Sequence, residues 1–414
     1  MTGSFSQPLT WPDEGVSRVP YWVYVDPAIY DREQTRIFRG PTWHFLGLED
    51  EVPEVGDYKT VQIGDTSVIL TRGKDGALNG MVNRCVHRGN LVCIKERGND
   101  GGCLTCVYHN WTYDLTGNLE SVAFAKGIGG SGGMPKDFDR TQHRLRPLRV
   151  ESIFGLVFAT FSDEAPALGD YLGAEMRDNM ERVLDRKMHV IGGYRQYMPN
   201  NWKLYMENVR DSYHASLLHM FFVTFRINRL SMDGGIKLSN RGWHHISYSL
   251  ATTDREEEQY DSTKLRAVED DYRLVDPGLT EGWPEYRCGT TLAIQSIFPN
   301  FVLQQTMNSI ALRLCVPKGP GGCELQWWIL GAVDDTDAEH CMRVRQSNLI
   351  GPAGLISLED GVIGGWVQRG TRGDPNEMSI VEMGGRDVAP SKDSRVTEVS
   401  VRGYWNGYRD LMGI

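Results

Sequence analysis

Short runs of alternating apolar and polar residues fill the chain from Trp43 to Asn83: HFLGLEDEV, YKTVQI, TSVILTR and LNGMVN. Alternation with period two marks strands with one buried face, and Gly64-Asp65 and Gly73-Lys74-Asp75-Gly76 supply the turns between them. VYHNWTYD and GLVFATF continue the pattern. Together they predict a small antiparallel β domain over residues 41–160. Residues 1–40 form a leading segment with one short helix in DPAIYDREQTRI, Asp26 as its cap and Pro27 in its first turn. The glycine-dense FAKGIGGSGGMPKDFD (124–139) lacks GxGxxG or GxxxxGK[ST] running into a helix, so it reads as a surface loop.

A second domain is expected over 161–414. GDYLGAEMRDNMERVLDR has helical spacing of apolar residues, and MHVIGGYRQYM reads as a strand. Residues 251–290 are charged and aperiodic, a solvated helix or loop that could serve as a lid. Strands follow in TLAIQSIFP, FVLQQTM, SIALRLCVP and CELQWWILGAV, then a helix around DAEHCMRVRQSNLIG. Strands wrapped about a long helix define an α+β class.

Composition narrows the function. With 414 residues, 40% hydrophobic and 24% charged, the chain has the make-up of a soluble globular protein of two domains. A net charge of −10 disfavours nucleic acid and anionic membranes as partners. No apolar run is long enough to span a bilayer and no signal pattern opens the chain, so a cytoplasmic address is expected. Four of the eight cysteines, Cys85, Cys93, Cys103 and Cys106, crowd into one window, which in such a chain points to metal or redox work.

Within that window Cys85-Val-His87 is followed, after 18 residues, by Cys106-Val-Tyr-His109. Two loops that each offer a thiolate and an imidazole suit a two-iron cluster, with cysteines on one iron and histidines on the other. A CxxC redox pair at Cys103 and Cys106 lacks the helix start that should follow it. A zinc site normally presents both cysteines before both histidines. An all-cysteine cluster would leave both histidines idle. The alternating order favours the Cys2His2 iron–sulfur cluster.

The second concentration of chemistry is ENVRDSYHASLLH, residues 207–219. Two imidazoles and a carboxylate are the ligand set of a mononuclear ferrous site with open positions, and Asp211, His214 and His219 supply those residue types. His214 and His219 would diverge by about 140° on a regular helix. If both hold one metal, the helix must end, widen or bulge between them. A hydrogen-bonded pair of buried histidines is the alternative. Arg313 sits among apolar residues of a strand, an unusual position for a free charge, and its planar fork could bind a carboxylate. Arg395 is a second candidate. For each, a structural salt bridge is the competing role.

With both motifs in order, the chain resembles the large (α) subunit of the Rieske non-haem iron aromatic-ring-hydroxylating oxygenases. It is most similar to the branch acting on aromatic acids such as terephthalate, anthranilate and salicylate. SRVPYWVY, NNWKLYMEN, DSYHASLLHMFF, GPAGLISLEDG and VRGYW carry the resemblance. It implies a Rieske [2Fe-2S] domain with Cys85, His87, Cys106 and His109 on the cluster, and a catalytic domain with Fe(II) on His214, His219 and Asp360. Glu359 would be a neighbour, and Asn208 either a supporting or a capping amide. Asp211 would then join His109 of one subunit to His214 of the next, which requires at least a trimer.

The implied reaction adds O2 to a benzoate-type acid as a cis-diol, or else monohydroxylates it. Electrons would come from NADH through a separate reductase, with or without a ferredoxin, and a small β subunit would accompany the chain. A Rieske electron carrier without oxygenase activity would explain residues 41–160 only. A zinc-binding interaction protein would need no sulfide.

Overall fold

The computed structural model describes residues 10–239, 241–251, 272–286, 288–391 and 394–414. The chain separates into two compact units. One comprises residues 38–171, and the other residues up to Ile37 together with 172–414.

In the first unit, seven antiparallel strands lie in the order His44–Leu48, Leu156–Thr160, Pro147–Ile153, Leu78–Val82, Thr66–Arg72, Asp57–Ile63 and Arg97–Asn99. A second sheet joins Cys103–Thr105, Thr112–Asp114 and Leu119–Ser121. Tyr58, Ile69, Met81, Leu104, Tyr113 and Leu145 pack with Cys85 and Cys106 in one apolar core. Two expected strands are shorter than their patterns suggest. HFLGLEDEV stops at Leu48 because the buried carboxylate of Glu51 accepts from the Leu48 N–H (2.9 Å) and pairs with Lys59 (2.5 Å), curling the chain into a 3-10 turn. VYHNWTYD is a strand only over Thr112–Asp114, since the Asn110 N–H bonds back to the Cys106 carbonyl (2.9 Å) and closes a turn. The glycine-dense stretch is a largely exposed loop. A Cβ on Gly127 would lie 2.3 Å from the Ser131 carbonyl oxygen, so that crossing needs glycine.

The second unit is built on a seven-stranded antiparallel sheet. Its order is Met188–Met198, Cys323–Ala332, Ser309–Pro317, Phe301–Thr306, Thr290–Ile297, His245–Leu250 and Gly234–Leu238. The helix Trp202–Arg210, capped by the Asn201 side chain on the Lys203 N–H (3.0 Å), packs on the strands Thr290–Ile297 and Ser309–Pro317. Helix Ser357–Gly373 packs against it and against Trp22–Val25, and helix Val399–Met412 packs against it and against Pro27–Arg36. Pro27–Arg36 is the expected N-terminal helix, with the Asp26 carboxylate accepting from the Ala28 N–H (2.7 Å). This α+β unit and the small antiparallel β unit match the fold class expected from the sequence.

Two helices had no clear signal in the sequence, because glycine dilutes the apolar pattern of both. The packing explains the glycines. A Cβ on Gly364 would meet the Asn200 side chain at 2.7 Å, and one on Gly403 would meet the Gly242 carbonyl oxygen at 2.4 Å. About half of the segment expected to serve as a lid, residues 252–271, lies outside the described residues.

Candidate metal centres

The alternating Cys-His order of the first motif becomes a spatial sorting. Cys85 and Cys106 are buried, whereas His87 is exposed and His109 half-buried. The two imidazole rings sit 4.5 Å apart, and His87 stacks flat on Trp111 at 4.8 Å. Each ligand loop is tied by the same turn: Gly89 N–H to the Cys85 carbonyl and Asn110 N–H to the Cys106 carbonyl, both 2.9 Å. The Tyr113 hydroxyl lies 3.2 Å from Cys85 Sγ and from the Val86 nitrogen. Burial raises the Cys85 thiol, an effect opposed by the Tyr113 and His87 hydrogen bonds and reinforced by Cys106 beside it. Two buried sulfurs facing inward and two imidazoles facing outward fit a cluster with chemically distinct irons. Cys93 is a different kind of cysteine. Burial pushes its thiol up to about 12, and its backbone is clamped on both sides by the Asn83 amide, so it is structural.

In the second unit, His214, His219 and Asp360 bring one ligand atom each to within 4.8 Å of one another. The helix Trp202–Arg210 ends at Asp211, whose Oδ1 accepts from the N–H groups of Tyr213 (2.8 Å) and His214 (3.3 Å). A four-residue helical turn, Ala215–Leu218, then breaks at His219 (φ −86°, ψ 84°) before Met220–Thr224. That break turns the second imidazole back toward the first, as the five-residue spacing requires. Asp360, in the first turn of the helix Ser357–Gly373, places Oδ1 3.5 Å from His214 Nε2 and 3.4 Å from His219 Nε2.

Groups around the triad hold it in register. Asn208 Nδ2 donates to Asp360 Oδ1 at 3.1 Å. Glu359 Oε2 lies 2.7 Å from His219 Nδ1, and Asp211 Oδ2 lies 3.3 Å from His214 Nδ1. Each imidazole thus turns one nitrogen to the common point and the other to a carboxylate, which fixes the tautomer of a metal-binding histidine. Burial alone would lower the His214 pKa, but the Asp211 and Asp360 carboxylates, which accept from its ring and favour its charged form, outweigh burial and push it up to about 10. Burial opposes ionisation of Asp360 too, yet His214 and His219 hold its pKa below the usual value. The donor set therefore favours positive charge at its centre, and a divalent iron fits it.

A cavity opens from the triad. It is lined by His214, His219 and Asp360, by Phe222, Leu292, Ile294 and Ile356, and by Gln304, Arg313 and Arg395. Arg313 is 4% exposed, donates to the Tyr205 hydroxyl (2.9 Å) and stacks over Trp327 (4.9 Å). Among the described residues it has no carboxylate partner. Arg395 also reaches this cavity, with its guanidinium bonded to Asn228 Oδ1 (2.5 Å) and the Arg229 carbonyl. The structure thus brings both sequence-identified arginines to the metal cavity.

A chain with a Cys2His2 cluster fold in one unit and a two-histidine, one-carboxylate pocket in the other has the make-up of an iron oxygenase component. Residues 42–129 match the Rieske [2Fe-2S] domain, and residues 177–414 match the ring hydroxylating alpha subunit (catalytic domain). The chain belongs to the ring-hydroxylating oxygenase α-subunit family. It is 47% identical over 98% of both chains to the terephthalate 1,2-dioxygenase terminal oxygenase component subunit alpha 2 of Comamonas sp. It is also 47% identical to the anthranilate 1,2-dioxygenase large subunit of Burkholderia cepacia, over 97% of this chain and 95% of that one. The crystal structure of naphthalene 1,2-dioxygenase from Rhodococcus sp. bound to indole superposes with a TM-score of 0.80 at 25% identity, covering 95% of this chain and 94% of that one. The cofactors of this family are the Rieske cluster and a mononuclear iron. Among the described residues, no helix is long and apolar enough to cross a membrane.

Proposed function

We propose that this protein is the terminal oxygenase of a multicomponent system that adds O2 to a benzoate-type aromatic acid as a cis-diol. The observation that carries the substrate class is Arg313: a buried guanidinium without an acidic partner among the described residues, facing the same cavity as the metal triad. A buried charge is costly unless paired, and a substrate carboxylate would complete it through two parallel hydrogen bonds. Terephthalate, anthranilate and other ortho-substituted benzoates satisfy this requirement. Arg395 on the same cavity gives terephthalate, with two carboxylates, a specific attraction. Monohydroxylation of a salicylate-type acid is the second reading.

In this account Cys85, His87, Cys106 and His109 hold the cluster, and His214, His219 and Asp360 hold the iron. Iron, when bound, supplies dioxygen activation. The protein's own residues do the rest. Phe222, Leu292, Ile294 and Ile356 keep water from the ring, and Arg313 fixes the ring through its carboxylate. Glu359 and Asp211 keep the Nδ1 protons on His219 and His214, so each Nε2 stays free to bind metal. Asp211 has its second role between subunits, accepting from His109 of a neighbouring copy to connect the two centres. That role calls for a trimer, and NADH, a reductase with or without a ferredoxin, and a small β subunit complete the system. A cytoplasmic site follows from the need for NADH.

Oxygen uptake by the holoprotein with a matched reductase, screened over terephthalate, anthranilate, salicylate and 2-halobenzoates, tests this reading. Uptake coupled to loss of one of these acids supports it, and uptake only with uncharged arenes contradicts it.

A further inference from the structure

One face of the seven-stranded sheet forms a wall of the metal cavity, and one polar side chain on it is left half satisfied. Ser247 pairs with Ile294 and Ile294 with Gln304, a row running straight across neighbouring strands. Arg313, on the strand beyond, pairs with Val302, two residues before Gln304. Side chains alternate along a strand, so Gln304 and Arg313 project from the same face as diagonal neighbours. Both line the cavity that holds His214, His219 and Asp360.

Gln304 is buried, and its Nε2 donates to the Thr306 hydroxyl at 3.0 Å. Its Oε1 has no hydrogen-bond partner among the described residues. The asparagines on the same cavity are engaged. Asn208 donates to Asp360, and Asn228 accepts from Arg395 and from Ser249. Beside Gln304 the wall is apolar, with Ile294 opposite it and Leu292 opposite Thr306.

An amide oxygen buried in such surroundings gives up the water that met it in the unfolded chain, and a bare one is costly. A ring that brings an N–H or O–H to Oε1 restores the bond. A ring with hydrogen or methyl at that place leaves the oxygen bare, and a carboxylate there sets acceptor against acceptor. Arg395 offers a second carboxylate less than its charge suggests. Its Nη1 and Nη2 already donate to Asn228 and to the Arg229 carbonyl.

We propose that Gln304 determines specificity, its Oε1 accepting from an amino or hydroxyl substituent on the ring whose carboxylate Arg313 holds. The substrate class narrows to aminobenzoates and hydroxybenzoates, with anthranilate and salicylate as the ortho members. The inference rests on the aromatic-acid reading above and adds the second polar contact. Arg313 selects for the acid, and Gln304 selects among acids.

The test is equilibrium binding by anaerobic calorimetry to the holoprotein without an electron donor, so that no turnover intervenes. The probes are the 2-, 3- and 4-isomers of aminobenzoate and hydroxybenzoate, the methylbenzoate matched to each, and terephthalate. Gln304→Met keeps the volume and removes the acceptor, and unchanged melting temperature and iron content verify its fold. Wild type should bind at least one amino or hydroxy acid about 10- to 100-fold more tightly than its methyl match. Gln304→Met should bring that pair to within about threefold and leave the methyl acid nearly unaffected. Equal binding of every matched pair in wild type would overturn the inference with no need of the variant. Tightest binding by terephthalate, or an equal loss for every acid in Gln304→Met, would overturn it too. Binding of uncharged arenes but of none of these acids would instead overturn the aromatic-acid reading on which it rests.

Discussion

Glu359 Oε2 lies 2.7 Å from Nδ1 of His219, while the next residue, Asp360, faces Nε2 of the same ring at 3.4 Å. Two consecutive acids at the start of one helix thus hold a single imidazole from both sides. Asp360 is placed to offer a ligand oxygen to a metal shared with the two histidines, and Glu359 to set the ring's tautomer and orientation.

Replacing Glu359 with Gln should weaken binding of the mononuclear iron by about 10- to 100-fold and leave the cluster's visible spectrum unchanged. Iron titration of the apoprotein with and without the substitution measures this. Equal affinity would reduce Glu359 to a surface acid.

Asp211 contacts His214 on the side away from Asp360, and its side chain remains about one quarter exposed. Asp211→Asn keeps the shape and removes the charge. Turnover should fall by roughly 10- to 100-fold with both metals in place, and the cluster should still accept an electron from the reductase. Stopped-flow reduction and single-turnover oxidation of the cluster separate the two steps. Near-normal cluster oxidation would exclude a role for Asp211 between the centres.

Arg313→Leu should raise KM for the aromatic acid by about 10- to 100-fold, the value of a charge-assisted hydrogen bond of roughly 1.5–3 kcal/mol. An uncharged arene of the same size should be affected much less. A uniform loss for both would make Arg313 a structural residue, held by Tyr205 and Trp327 for packing alone.

His44 ties stability to pH in the cluster unit. It is fully buried against Phe38 and bonded to Thr42 (2.9 Å), and burial lowers its pKa from 6.5 to about 3. The unfolded chain therefore binds this proton first as pH falls. The stability contributed by neutral His44 is present in full above about pH 6.5 and is lost progressively toward pH 3. Thermal unfolding of the wild type should weaken across that window. His44→Gln should show a flatter dependence, and an unchanged slope would assign the acid sensitivity to other groups.

The sequence carried the chemistry better than the helices that position it. Cys85-Val-His87, Cys106-Val-Tyr-His109 and His214 with His219 were readable because their spacing is set by coordination, which acts over a few residues. The irregular helix at His219 followed from angle arithmetic and is present as a break in the backbone. Asp360 was different. Its proposed ligand role rests in the sequence on family resemblance alone, because a distant carboxylate has no local spacing to betray it. Glu359 is visible in the sequence only as a neighbour of Asp360, since nothing along the chain says which nitrogen of which ring it will meet. The helices Ser357–Gly373 and Val399–Met412 were hidden by glycines that exist to admit Asn200 and Gly242, a tertiary demand invisible along the chain. Arg313 was identified as out of place in its strand. Only the fold shows that it lacks an acidic partner among the described residues and opens on the metal cavity.

Quantitative metal and acid-labile sulfide analysis of the purified protein, alongside Asp360→Ala, tests the two-centre account most directly. The account predicts about three irons and two sulfides per chain, falling to about two irons and two sulfides in the variant with its cluster spectrum intact. Zinc without sulfide, or full iron retention in Asp360→Ala, would contradict it.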